Sequence, residues 1–151
     1  MTAIFFDTSA LIRRYHRTEP GAERIRTLCL PTRRNTLLIS RLTPVEVASA
    51  LNRLFREGNL DREATERLWR LFRGHCRAHY RLLGLDEPTY LLGERLLFTH
   101  RLRAYDALQI ASAVRTRSLL RDLTPDYLFC TADRSQAEAA DREGLAVELI
   151  S

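Results

Sequence analysis

The 151-residue sequence predicts an α/β fold: a three-layer α/β/α sandwich on a mainly parallel sheet. Three observations carry that prediction. Short apolar runs alternate along the chain with stretches of helical spacing, the pattern of a parallel sheet flanked by helices. The runs are continuously apolar rather than alternating, as in strands covered on both faces. The length suits one domain, taken as 1–151, and a hydrophobic content of 45% is enough to fill its core.

The elements follow in order. Residues 3–6 (Ala-Ile-Phe-Phe) read as a buried strand ending at Asp7. Leu11, Ile12 and Tyr15 give 8–16 helical spacing, and Ala22, Ile25 and Leu28 do the same for 21–30. Residues 36–40 (Thr-Leu-Leu-Ile-Ser) form the second strand. Thr43-Pro44-Val45-Glu46 then reads as a capping box, with Pro at the first helical position, and Gly58-Asn59 ends that helix near Glu57. Asp61 caps a long helix to about His79. Residues 80–85 suit either a third strand or a continuation of that helix. Helices are expected over 88–100, 104–120 and 134–142, with strands over 127–130 and 146–150.

Composition narrows the function. All 24 basic residues are Arg, and there is no Lys. This excludes a P-loop, a Schiff-base enzyme and a protein kinase, each of which needs a Lys. The net charge of +5 favours polyanionic partners, although the Arg bias itself is read as base composition or adaptation to heat. No apolar run is long enough to span a bilayer, and no basic segment precedes the first apolar stretch. The expectation is a cytoplasmic protein without membrane contact. Cys29, Cys76 and Cys130 are too few and too scattered for a disulfide scaffold.

Four acids stand at special positions. Asp7 ends the first strand, Glu46 lies in the first turn after the second, and Asp133 follows the strand at 127–130. Asp106 lies near the start of an apolar helix. Ligands of open parallel sheets bind beyond the carboxyl ends of the strands, where three of these acids fall; Asp106 joins them if its helix starts at the same edge. Each acid also has a capping explanation: Asp7 for the first helix, Glu46 with Thr43, Asp106 with Gln109, and Asp133 with Gln136. Capping does not require all four to converge. Clustered carboxylates suit a hard divalent cation, which relieves their mutual repulsion and can activate water for phosphodiester cleavage.

Four segments, in this order, resemble the PIN-domain ribonucleases, and within them the VapC-type toxins of toxin–antitoxin pairs. They are Phe6-Asp7-Thr8-Ser9-Ala10-Leu11, the run from Pro44 to Leu51, the run from Tyr105 to Ala113, and Thr131-Ala132-Asp133. Gly144-Leu145-Ala146-Val147 resembles the family's ending, so the likeness spans essentially the whole chain. The resemblance implies a PIN-like fold and Mg²⁺ (or Mn²⁺) held by Asp7 and Asp106. It also implies that Glu46 and Asp133 complete the acidic site, with Ser9 and Thr131 supporting it by hydrogen bonds. The implied substrate is a structured RNA of the tRNA or rRNA class. The implied partners are a cognate small antitoxin and a second copy in a homodimer. The contrasting expectation is a catalytically silent PIN-like module that binds RNA or protein; the complete acid set favours the enzyme. A phosphoaspartyl protein is disfavoured by Ser9 two residues after Asp7 and by the missing Lys.

The stretch 118–126 looks longer than in compact members, and Asp122 and Asp126 are read as solvated loop acids. His75 and His79 share a helix face at a spacing that can hold zinc, but no third ligand is evident. Arg70, Arg73, Arg77 and Arg81 form a stripe that either follows RNA phosphates or pairs with Glu63 and Glu66, the second being preferred. Trp69 and Phe72 are expected in the core or a dimer interface.

Overall fold

A computed structural model describes residues 2–124 and 126–151. Pro125, inside the stretch read as a longer loop, lies outside them. Five strands form one sheet: β1 (Ala3–Phe6), β2 (Thr36–Ser40), β3 (Tyr80–Leu83), β4 (Tyr127–Thr131) and β5 (Val147–Leu149). They run parallel throughout, in the order β3-β2-β1-β4-β5. Seven helices are described: α1 (Thr8–Leu11), α2 (Ala22–Leu28), α3 (Thr43–Arg56), α4 (Arg62–Ala78), α5 (Glu87–Thr99), α6 (Ala104–Leu120) and α7 (Arg134–Arg142).

The continuously apolar strands are buried on both faces, as a parallel sheet between helices demands. Along β1, Ile4 and Phe6 point into a core shared with α1 to α4, where Ile25, Leu51 and Phe72 are fully buried. Ala3 and Phe5 point the other way, towards Leu96 of α5, Ile110 of α6 and Ala140 of α7. The three layers are therefore α, β, α. Trp69 and Phe72 belong to the first core, with Phe72 edge-on to Tyr15.

Residues 80–83 pair with β2 and form a strand. The first predicted helix is shorter than its spacing suggested: α1 gives way to a 3-10 turn over Ile12–Arg14, and Tyr15 closes it. The capping box does not form either. Thr43 is already inside α3, whose N-cap is Leu42 with no side-chain bond, so Pro44 sits at the second helical position. Thr43 and Glu46 turn their side chains to other partners.

Strand order fixes where these acids meet. β2 and β3 extend from one side of β1, and β4 and β5 from the other. The chain thus reverses its winding between β1 and β4, the switch point at which α/β sheets open a crevice. The amide of Asp7 donates to the Cys130 carbonyl at 3.0 Å, which locks the ends of these two strands together.

Candidate active site

Asp7 follows directly on β1 and is wholly buried. It is the N-cap of α1, where its Oδ1 accepts from the Ala10 amide at 3.0 Å and the Ser9 hydroxyl at 2.7 Å. Its Oδ2 accepts from Thr131 Oγ1 at 2.6 Å. An ionised carboxylate has about four lone-pair positions, so three donors leave roughly one free. Burial, reinforced by the charge of Asp133, raises the Asp7 pKa to about 7, against the pull of these three donors.

Thr131 and Ser9 tie β1 to β4. Thr131 Oγ1 accepts from the Asp133 amide at 3.0 Å, and Ser9 Oγ accepts from the Ala132 amide at 2.9 Å. Asp133 caps α7, its Oδ1 accepting from the Gln136 amide at 3.0 Å. The side chain of Gln136 reaches away to donate to Asp106 Oδ1 at 3.1 Å. Asp106 lies in the first turn of α6 with no capping role, its helix being preceded by Arg103, which stands 3.6 Å from its Oδ2. Burial raises its pKa; Arg103 opposes the rise and Asp133 adds to it. Asp133 thus acts electrostatically on both Asp7 and Asp106.

Glu46 is held from the other side. Its Oε1 accepts from Thr8 Oγ1 at 2.9 Å and from Gln109 Nε2 at 2.7 Å. Glu46, Asp106 and Asp133 line one cleft of about 560 Å³, together with Ser9, Arg53, Arg103, Tyr105, Gln109 and Gln136. Asp7 and Thr131 lie beneath this lining. Asp122 and Asp126 are exposed and line no part of it, as expected.

The two glutamines were legible only as capping partners, and that assignment is corrected. Gln109 does not pair with Asp106, three residues earlier; it clasps Glu46 across the sheet edge. Gln136 meets Asp133 through its amide only and spends its side chain on Asp106. The available signal was a Gln inside the apolar run Ala107-Leu108-Gln109-Ile110-Ala111, where a buried amide needs a distant partner.

The donor chemistry suits a hard cation. The cleft offers carboxylate oxygens, and the buried Oε1 atoms of Gln109 and Gln136 are acceptors without a donor. A hydrated cation supplies what such surplus acceptors lack. Among the described residues no three His, Cys, Asp or Glu side chains close on one point.

Features set apart in the sequence have other uses. His75 and His79 stack at 4.9 Å, and His75 Nδ1 bonds the Tyr15 hydroxyl at 2.7 Å. Burial pushes the His75 pKa down to about 4. The Arg stripe does not pair with Glu63 and Glu66 among the described residues; Arg73 lies over the Trp69 ring instead.

A cleft lined by three carboxylates at the switch point of a five-stranded parallel sheet marks an α/β/α domain with its candidate site at the carboxyl edge. The PIN domain profile matches residues 4–142, and the chain belongs to the PIN domain family, whose members are generally nucleases. No curated protein sequence matches it. Three solved structures share the fold. PAE2754 from Pyrobaculum aerophilum is 20% identical, with 97% of this chain and 83% of that chain covered and a TM-score of 0.64. VapBC2 from Rickettsia felis, bound to a DNA fragment from their promoter, is 11% identical, with 99% and 100% covered and a TM-score of 0.65. FitAcB from Neisseria gonorrhoeae is 19% identical, with 95% of each chain covered and a TM-score of 0.60. At these identities the likeness carries the fold alone.

Proposed function

We propose that this chain, acting as one domain over 1–151, is a metal-dependent ribonuclease and the toxin of a type II toxin–antitoxin pair. The observation that carries the reading is a single cleft at the carboxyl edge of the sheet lined by Glu46, Asp106 and Asp133, with Asp7 buried at the end of β1. Asp7 and Asp106 would hold one Mg²⁺ or Mn²⁺, and the shared influence of Asp133 on both supports that pairing. When bound, such an ion supplies an activated water and neutralises charge at the leaving oxygen.

The chain's own groups do the rest. Gln109 and Thr8 fix Glu46 through Oε1, which leaves Oε2 to accept a proton from the attacking water. Asp133 orients the same water, its backbone set by Thr131. Arg53 and Arg103, on the cleft wall, receive the RNA phosphates. The carboxylate-rich cleft also suits an Arg side chain supplied by an antitoxin, and VapBC2 and FitAcB are toxin–antitoxin proteins of like fold. For α5, the exposed Tyr90, Leu91 and Phe98 fit a homodimer contact. The reading assigns a cytoplasmic location; among the described residues no helix is long and apolar enough to cross a membrane.

The test is cleavage of total tRNA and rRNA with Mg²⁺ or Mn²⁺, with and without EDTA. Glu46→Gln should lower cleavage at least about a hundredfold, the scale of losing a positioned acid–base group, and Asp7→Asn and Asp106→Asn should lower it sharply by weakening the hold on the ion. Cleavage that survives EDTA, or is unchanged in both Asn variants, overturns the metal mechanism. A stable, RNA-binding chain that never cleaves would point instead to the silent module.

A further inference from the structure

We infer that the pocket between the 3-10 turn Ile12–Arg14, α2 and α4 is an oxyanion subsite that takes a backbone phosphate of a single RNA strand. It rests on the ribonuclease reading only for the identity of the polymer. The pocket, of about 280 Å³, gathers Arg14, Arg17 and Arg26, and no Asp or Glu lines it. None of the three forms an ion pair with a described residue. Arg26 Nη1 is buried and meets no acceptor, an arrangement that is costly unless something supplies one.

The neighbours of Arg14 hold it without neutralising it. Its Nη1 donates to the Tyr80 hydroxyl at 2.7 Å, and the guanidinium lies over the Tyr80 ring at 5.6 Å. The Tyr80 hydroxyl also bonds that of Tyr15, which bonds His75 Nδ1 in turn. Burial raises both phenol pKa values and lowers that of His75, so this network stays uncharged at neutral pH. The three cations lining the pocket therefore have no carboxylate partner among the described residues. The planar guanidinium fork matches the paired oxygens of a phosphodiester.

The choice of RNA over an acidic peptide follows from position. Ile12 lines the acidic cleft, and two residues on Arg14 lines this pocket. A strand whose scissile phosphate lies in the cleft has a continuous route over the turn. Leu30, Pro31 and Leu71 are exposed at the pocket and give an unstacked base or sugar an apolar rest.

The probe is a short, labelled single-stranded RNA, with binding followed by fluorescence anisotropy in EDTA across a range of salt. Arg17 is exposed and Arg26 half-buried, so Arg17→Gln keeps the test valid if Arg26→Gln unfolds. Each variant should flatten the slope of log K against log salt by about 0.7 and weaken binding about fivefold near 0.1 M salt. Arg26→Lys, which keeps the charge, should keep the slope. Unchanged slopes in both Gln variants overturn the subsite, as does a wild-type chain without salt-dependent RNA binding. If the same variants lose affinity for a poly-glutamate peptide and not for RNA, the assignment is also overturned. If the chain binds RNA with this Arg dependence yet cleaves none, the subsite stands and the nuclease reading fails.

Discussion

Burial raises the pKa of Asp7 to about 7, although three donors and a helix end favour its ionised form. An Asp in the unfolded chain titrates near 3.9. The folded value is the higher one, so the protonated carboxyl stabilises the fold fully below about pH 4. That stability is lost as pH rises through about 7, and ionisation then costs about 4 kcal/mol. The metal-free protein should thus weaken steadily between pH 4 and pH 7 in urea unfolding, and Asp7→Asn should remove most of that slope. A variant with the wild-type slope would contradict this account of Asp7. Thr131→Val is a second test at this scale. It deletes the donor to Asp7 and the acceptor of the Asp133 amide, and should cost about 1–3 kcal/mol with a loss of cleavage. The acids themselves were legible because each follows an apolar run or opens a helix. Gln109 and Gln136 were not, because a residue three positions after an Asp reads as a cap partner, and only the assembled sheet edge brings in Glu46 and Asp106.

At the scale of elements, periodicity placed four of the five strands and every major helix, while their ends depended on tertiary partners. Thr43-Pro44-Val45-Glu46 has the composition of a capping box, but Gln109 and Thr8 compete for its two side chains and win. Residues 80–83 were ambiguous alone because a short apolar run fits helix or strand; pairing with β2 decides it. The start of α2 gives a sharper test. Gly21 has a φ of 82°, and a methyl group there would stand 2.2 Å from Ile150 Cγ2. Gly21→Ala therefore combines left-handed backbone strain with overpacking at the buried Ile150. It should destabilise by about 2–4 kcal/mol in denaturant unfolding, and a neutral result would mean this end of the chain is free to shift.

For the whole molecule, the strand order does what no single motif can: it sets Asp7 beside Thr131 and brings α3, α6 and α7 around one opening. The alternation of strands and helices predicted the parallel sheet; its order could not be read locally, because it depends on which side of β1 each crossover packs. The apolar residues left outside the two cores have a use at this scale. Phe98 is 93% exposed, beyond Tyr90 and Leu91 on α5, so Phe98→Glu should convert the proposed homodimer to a monomer in light scattering at unchanged unfolding stability. A wild-type chain that is already monomeric would remove α5 as a contact. The central claim, that these carboxylates are assembled to hold a divalent cation, is tested most directly by Mn²⁺ binding to the metal-free chain, followed by electron paramagnetic resonance as pH is raised. The prediction is one bound ion per chain, gripped more tightly as pH passes about 7 and Asp7 ionises, and lost in Asp106→Asn while the fold persists. Binding that is undiminished in both Asp7→Asn and Asp106→Asn would contradict it.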